Sequence, residues 1–298
     1  MSFSVVIAGI GISMIFGFSF LFTKNALDFV SPMNFLVYRF FVASVVFLLL
    51  LSFKIIKIER KPYWKLWKLV LFQPILYFIF ETYGVDKINS SEAGMIIALI
   101  PIVVNVLSVF ILKEKADSLH YVLISIGFLG VLLIVGFNLS VENLFGKVLM
   151  LLAVLSGSMY TILSRKLSKE FKPQEITFFM MISGFLFFGL INLFMNQFKI
   201  VFNFQVLTSA LYLGVLSSAG AFFLLNYMVK KASPTLTTVF SNLTTVVSVI
   251  AGVIFRREII EIQQIIGMML ILSSLFMITL RGHRALTYSQ SPKGDGIL

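Results

Sequence analysis

An all-α polytopic membrane protein, its ten transmembrane helices arranged as two inverted five-helix repeats, is the fold class this sequence predicts. Three observations lead there. The chain of 298 residues is 59% hydrophobic and only 12% charged, about half the charged share of a soluble domain. Its apolar residues stand in long blocks of about the 20 residues that carry a helix across a bilayer. Stretches of the first half also recur in the second.

The blocks, in order, are Val5–Thr23, Pro32–Phe53, Lys68–Tyr83, Ser90–Leu112, Leu119–Gly136, Leu144–Leu163, Ile176–Met195, Leu207–Val229, Thr235–Phe255 and Ile265–Leu280. None alternates apolar with polar residues, as strands of a membrane barrel do. The first, within "MSFSVVIAGIGISMIFGFSFLFT", has no charge ahead of its core. It is expected to be a retained helix and not a cleaved signal.

A net charge of +11 would point to nucleic acid in a soluble protein. Here topology explains it, because Lys and Arg gather in cytoplasmic loops. With the N-terminus inside, seventeen of the 24 basic residues fall on inner segments. They are Lys54, Lys57, Arg60, Lys61, Lys65, Lys68, Lys113, Lys115, Arg165, Lys166, Lys169, Lys172, Lys230, Lys231, Arg281, Arg284 and Lys293. Lys24, Lys87, Lys147, Lys199, Arg256 and Arg257 fall outside, and Arg39 falls within a span. Both termini are therefore expected in the cytoplasm and the protein in the plasma membrane, a prokaryotic inner membrane. Trp64 and Trp67 lie in the most basic loop, at headgroup level. The chain has no cysteine, which excludes disulfides, iron–sulfur clusters and thiolate metal sites.

Shifted by 144 positions, "YGVDKINSSEAGMIIALIPIVVNVLSVFILKE" from Tyr83 aligns without a gap on "YMVKKASPTLTTVFSNLTTVVSVIAGVIFRRE" from Tyr227. Tyr83, Val85, Lys87, Leu99, Val103, Val109 and Glu114 recur as Tyr227, Val229, Lys231, Leu243, Val247, Val253 and Glu258. A shift of about 140 brings Gly17 onto Gly157 and Pro32 near Pro173. Five spans per half start the second half on the opposite face, which is the inverted arrangement of many secondary transporters. The expected division is 1–137 for the first repeat, 138–281 for the second and 282–298 for a disordered cytoplasmic tail.

Ten spans, the two repeats, the recurring "KE" and "RRE" near the end of the fourth helix of each, Pro32 followed by Arg39, and "ETYGVDKINSSEAGMIIALIPI" with Pro101 inside helix four together resemble the drug/metabolite transporter superfamily, EamA type. The resemblance covers residues 3–281. It implies export or exchange of small metabolites, often amino acids, through a central cavity. The second half departs from the pattern, with Thr245 in place of the proline and Ser274 in place of Gly130. That leaves the substrate open.

Candidate site residues follow from polar groups inside apolar runs. Arg39 lies seven residues below Pro32, about 10 Å into the membrane at 1.5 Å per residue. An unpaired charge there costs about 3 kcal/mol on insertion scales, so it requires a partner. Glu81 and Glu92 are the two candidates at a compatible depth. Such a pair either fastens two helices or meets a charged substrate. Gln73, Tyr77 and Glu81, spaced i, i+4 and i+8, predict one polar stripe on helix three. Arg39 aligns with Met180 and Glu81 with Leu225. A pair lost from the second repeat favours a substrate role, since a substrate has no pseudosymmetry. Glu81 is also the candidate proton carrier.

On helix four, Gly94, Ala98, Pro101 and Ser108 share a face, matched by Thr238, Asn242, Thr245 and Gly252 on helix nine. Small residues there serve close packing, and Pro101 leaves the Ile97 carbonyl without its helical donor. Asn105, Tyr160, Asn226, Thr238, Asn242 and Thr245 complete the substrate-binding set. No metal or cofactor is expected. His120 and His283 stand in loops or near a terminus, away from any serine-protease or zinc arrangement. No "GxxxxGK[ST]" occurs, so ATP drive within this chain is not expected. The predicted function is a monomeric, non-enzymatic secondary transporter of amino acids or similar small polar metabolites. Its partners are that substrate and the lipid bilayer, with protons as a coupling-ion candidate and no nucleic acid. A multidrug or lipophilic-cation exporter and a channel-like facilitator are the alternatives.

Overall fold

The computed structural model describes residues 3–111, 118–135, 141–196, 198–231 and 234–290; for 3–6, 118, 120, 142, 234–242 and 278–290 it describes the backbone alone. Among these residues the chain is helical, without strands. Ten helical segments follow the ten apolar blocks. They are α1 (Phe3–Leu27), α2 (Pro32–Ser52), α3 (67–87), α4 (Ser90–Ile111), α5 (Ser118–Val135), α6 (Val141–Leu167), α7 (Pro173–Phe194), α8 (Phe204–Lys231), α9 (Pro234–Arg256) and α10 (Ile262–Gln290). Proline stands at the first position of α2, α7 and α9, where its missing N–H has no helical acceptor to lose. The helix α10 continues through Gln290, into the segment expected to be a tail; 291–298 lie outside the described residues.

Ten runs were expected to be long enough to span. Six of the described helices meet that length and composition, while Tyr121–Val135, Leu243–Arg256 and Ile262–Met277 are shorter apolar stretches. The helix α3 is divided instead. Gln73 has an extended backbone (φ −151°, ψ 120°) ahead of Pro74, inside a π-helical stretch Leu71–Leu76. A second π-helical stretch, Tyr212–Ala221, lies in α8. The helix α4 is interrupted at 98–99, just ahead of Pro101, which cannot donate to the preceding turn.

Contacts between helix ends sort them into two faces. On one, Arg256 at the end of α9 bonds Asp28 after α1 at 2.9 Å. There Lys24 donates to the Val85 and Asp86 carbonyls of α3, both at 2.8 Å, and Lys147 of α6 pairs with Glu92 of α4 at 3.1 Å. On the other, Lys61 pairs with Glu175 at the start of α7 at 2.9 Å, and Arg165 near the end of α6 donates to the Val229 carbonyl near the end of α8. Successive helices therefore alternate in direction.

Large apolar side chains such as Leu48, Leu132, Leu155, Leu186, Leu190 and Phe276 point outward, while Ser13, Ser44, Thr82, Ser158, Thr177 and Ser217 are buried. That is the polarity of a helical bundle in lipid, where hydroxyls find partners inside. The broadest interfaces join α3 with α6, α1 with α9, α5 with α10, and α1 with α8. Glycines set several of them. A Cβ on Gly130 would lie 2.5 Å from the Gly267 carbonyl oxygen, and one on Gly267 would meet the Gly130 carbonyl. One on Gly17 would lie 3.0 Å from the Thr244 carbonyl, and one on Gly157 would lie 3.1 Å from Ile100. Near the first of these contacts, the Ser274 hydroxyl donates to the Leu123 carbonyl.

Candidate functional site

A cavity of about 140 Å³ lies between α1, α2, α3, α4, α6, α8 and α9. Its wall is largely apolar and aromatic, with Phe16, Phe20, Tyr77, Phe78, Tyr160 and Phe222 among its residues. Two buried charges, Arg39 and Glu81, break that wall, and each is 2% exposed.

Arg39 lies two turns into α2, opposite the π-helical stretch of α8. Its Nε donates to the Ser218 hydroxyl at 2.9 Å, and one terminal nitrogen, Nη2, donates to the Ser217 hydroxyl at 3.0 Å. Gly214 makes this approach possible, since a Cβ there would lie 2.6 Å from Val42 and 3.0 Å from the Arg39 carbonyl. The guanidinium carbon lies 4.3 Å from the centre of the Phe78 ring, a cation–π contact that offsets part of its burial. Nη1 has no protein partner among the described residues.

The expected carboxylate partner is therefore corrected. No nitrogen of Arg39 comes within 4.0 Å of a Glu81 oxygen, so the two interact only across space. Glu81 accepts a hydrogen bond from the neighbouring Thr82 hydroxyl at 3.1 Å, and its other oxygen has no protein partner among the described residues. Glu92 is engaged elsewhere, by the fully buried Lys147 at 3.1 Å and by Gln264 at 3.3 Å. Serine hydroxyls on a bulged helix hold two nitrogens of Arg39, since short hydroxyl side chains reach a guanidinium without a second buried charge in contact.

The polar stripe on α3 is also built differently from the regular spacing that predicted it. Gln73 has left the helix, yet Gln73, Tyr77 and Glu81 all line the cavity. Tyr160 lines it too, with its hydroxyl bonded to the Asn226 side-chain oxygen at 2.8 Å. Asn226 sits behind that wall, accepting also from Ser164 at 2.8 Å and donating to Thr177 at 3.1 Å. Asn105 turns back on its own helix, donating to the Pro101 carbonyl at 2.9 Å. The Thr245 hydroxyl donates to the Gly94 carbonyl at 3.4 Å, fastening α9 to α4. The side chains of Thr238 and Asn242 lie outside the described residues, as does Glu114.

Sequence reasoning missed Ser19, Thr161, Arg165 and Thr244, all in the wall, and assigned Ser108, also in the wall, to helix packing. A signal existed on α6. Gly157, Thr161 and Arg165 are spaced i, i+4 and i+8 and share a helical face, but Arg165 had been assigned to a basic loop. No group of three or more potential metal ligands occurs among the described residues.

The basic loop is docked by charge. Glu175 is fully buried and accepts from Lys61 at 2.9 Å and from the Lys172 backbone N–H at 2.7 Å. The bond to Glu175 pushes the Lys61 pKa up. Burial, with Glu175 close by, pushes Tyr63 up to about 12. Hydrogen bonds from Lys172 and then Lys61 hold Glu59 below the usual carboxylate range.

The model of the EamA-like transporter family matches the chain twice, over residues 3–136 and 144–280. The chain is similar to the uncharacterized transporter YcxC of Bacillus subtilis (strain 168), with 33% identity over 265 residues and 85% of each chain covered. It is similar to an uncharacterized transporter of Archaeoglobus fulgidus at 26% identity, covering 88% of this chain and 94% of that one. A protein of known crystal structure has the same fold, with a TM-score of 0.73 at 17% identity over 96% of this chain and 99% of that one. On the double match and the helical bundle together, the chain belongs to the EamA-like transporter family and is a multi-pass membrane transporter of a small-molecule substrate.

Proposed function

We propose that this transporter carries small zwitterions, amino acids or similar polar metabolites, by alternating access. One observation carries the reading. A buried cation and a buried anion share the wall of one cavity without touching, and each keeps one end free of protein partners among the described residues. Arg39 then takes the substrate carboxylate, with the guanidinium geometry suited to it. Glu81 takes the ammonium group. Apolar and aromatic walls receive the rest of the molecule. Phe78 and the two serines keep the guanidinium oriented before substrate arrives, which limits the ordering cost of binding.

The two halves, 1–137 and 138–281, form the inverted repeats in this reading. Interfaces that exchange under a swap of halves support it. The α1–α9 contact has the α4–α6 contact as its mate, and α2–α7 and α5–α10 are their own mates. Gly130 against Gly267 becomes Ser274 against Leu123 under the 144-residue shift. Gly17 against Thr244 becomes Gly157 against Ile100. Both termini then lie in the cytoplasm of a prokaryotic inner membrane, the protein acts as a monomer, and Glu81 is available as a proton carrier.

The test is counterflow in proteoliposomes loaded with a panel of amino acids, challenged by amines lacking the carboxylate and acids lacking the amine. Saturable counterflow competed only by zwitterions is the expected result. Competition by lipophilic cations alone would overturn it in favour of a cation exporter, a reading that Glu81 amid Phe16, Tyr77 and Phe222 favours. Non-saturable flux without counterflow would overturn it in favour of a channel-like facilitator.

A further inference from the structure

The cavity is lopsided along the bundle. Toward the face of the basic loops its lining reaches Arg165 and Val229, two residues from the ends of α6 and α8. Toward the opposite face it stops at Phe20, Glu81 and Ile97, each six or seven residues short of its helix end, about 9–11 Å at 1.5 Å per residue. On that opposite face a carboxylate joins the end of α9 to the start of α4. Glu258 accepts at Oε1 from the Ser90 backbone N–H at 2.9 Å and the Ser90 hydroxyl at 2.7 Å. At Oε2 it accepts from the Ser91 backbone N–H at 2.8 Å and from the Ser91 hydroxyl.

The turn that delivers this carboxylate is built for the purpose. Arg257 has φ 54°, the left-handed region that non-glycine residues avoid, and it folds Glu258 back so that its N–H meets the Gly252 carbonyl at 3.2 Å. Position 252 has no room for a side chain, since a Cβ there would meet the Ser91 hydroxyl and the Glu258 carboxylate. Neighbouring ties on the same face, Arg256 to Asn25 and Asp28 and Lys24 to the 85–86 carbonyls, join α1, α3 and α9.

We propose that the bonds of Glu258 to Ser90 and Ser91 form the gate that closes the cavity on the face away from the basic loops, and that they must part for the cavity to open there. The proposal rests on the alternating-access reading but not on the identity of the substrate. It also carries a sign for pH. Burial pushes the Glu258 carboxyl up, but the Ser91 and Ser90 bonds outweigh it and hold its pKa below the ordinary value. An open gate loses those bonds and returns the group toward normal. The closed state is therefore favoured fully above the ordinary carboxylate pKa, and the advantage is lost as pH falls through the depressed one. Arg256, Lys24, Lys147, Glu92, Asp28 and Asp86 surround the same face. An acid response that survives in Glu258→Gln belongs to them.

The absence of native cysteine makes the test direct. Ser19→Cys places a single thiol in the cavity wall, and a membrane-impermeant thiol reagent is applied to each face in turn, using sealed right-side-out and inside-out vesicles. The otherwise unaltered chain should label from the face of the basic loops and only slowly from the other. Adding Glu258→Gln should raise labelling from the opposite face by about tenfold or more, and so should Gly252→Ala, which prises the gate with the carboxylate intact. Variants that keep the parent rate from the basic face, and hence a formed cavity, yet gain nothing from the opposite face would overturn the proposal. So would a gain in Gly252→Ala alone, which would assign the closure to packing and not to the carboxylate. Neither result depends on amino-acid counterflow, so failure of the substrate reading is seen separately.

Discussion

Arg39 is held through Nε by the hydroxyl of Ser218, at 2.9 Å, with no carboxylate in contact among the described residues. With two nitrogens held by neutral hydroxyls, no counter-ion in direct contact has to be displaced before an incoming anion reaches this charge. The consequences of substitution at this site therefore differ from those of an ion pair.

Glu81→Gln removes a buried charge that has no salt-bridge partner among the described residues. The thermal midpoint in detergent is expected to stay level or rise, while uptake of zwitterions falls about tenfold or more, equivalent to about 1.4 kcal/mol. The double change Ser217→Ala with Ser218→Ala should do the reverse for stability. It leaves a buried guanidinium without its two acceptors, so the midpoint falls and KM rises. A large loss of stability in Glu81→Gln would reinstate a direct pair with Arg39.

Asn226 tests the supporting layer. It joins Tyr160, Ser164 and Thr177, and Asn226→Ala strands those groups at about 1–3 kcal/mol for each left unsatisfied. Calorimetry or fluorescence melting should register the loss. Transport should fall with it through misplacement of the Tyr160 ring, even though Asn226 is not in the cavity wall.

Gly130→Ala and Gly267→Ala each drive a methyl group into the backbone oxygen of the other helix, which no rotamer change can relieve. A cost of about 1–3 kcal/mol is expected from overpacking. Gly189 has open space around it, so Gly189→Ala should be neutral or stabilising by up to about 1 kcal/mol through helix propensity. Equal midpoints for all three variants would contradict the close α5–α10 contact.

Lys61→Met should destabilise more than Lys65→Met. The first strands the fully buried Glu175, while Lys65 and Glu170 are both well exposed and such a pair contributes about 0–1 kcal/mol. The raised pKa values of Lys61 and Tyr63 set the sign of the pH dependence. Their contribution is complete below the unfolded pKa values and is lost as pH rises through the folded ones, for Tyr63 toward about 12. Melting followed across the alkaline range should show this loss, and Tyr63→Phe should remove its share.

The sequence by itself determined the class, the alternating passes and the presence of a buried polar set. Long apolar blocks admit only helices in a bilayer, and a 144-residue shift needs no coordinates to be seen. It also determined that Arg39, Gln73, Tyr77, Glu81 and Tyr160 are unusual, because polar groups inside apolar runs are costly wherever they lie. Only the tertiary structure decided what each of them meets. Pro74 breaks the regular spacing of α3, so a stripe drawn at i, i+4 and i+8 reached the right cavity by another backbone path. A π-helical stretch in α8 presents Ser217 and Ser218 to Arg39, and hydroxyl residues are too common in membrane helices for that choice to be legible in one dimension. Glu92 looked available until Lys147, which is far along the chain and was counted as a loop charge, proved to be buried against it. Periodicity and charge act locally and can be read along a chain. Partner choice depends on which distant groups packing brings within hydrogen-bond reach, and that is a property of the packed bundle.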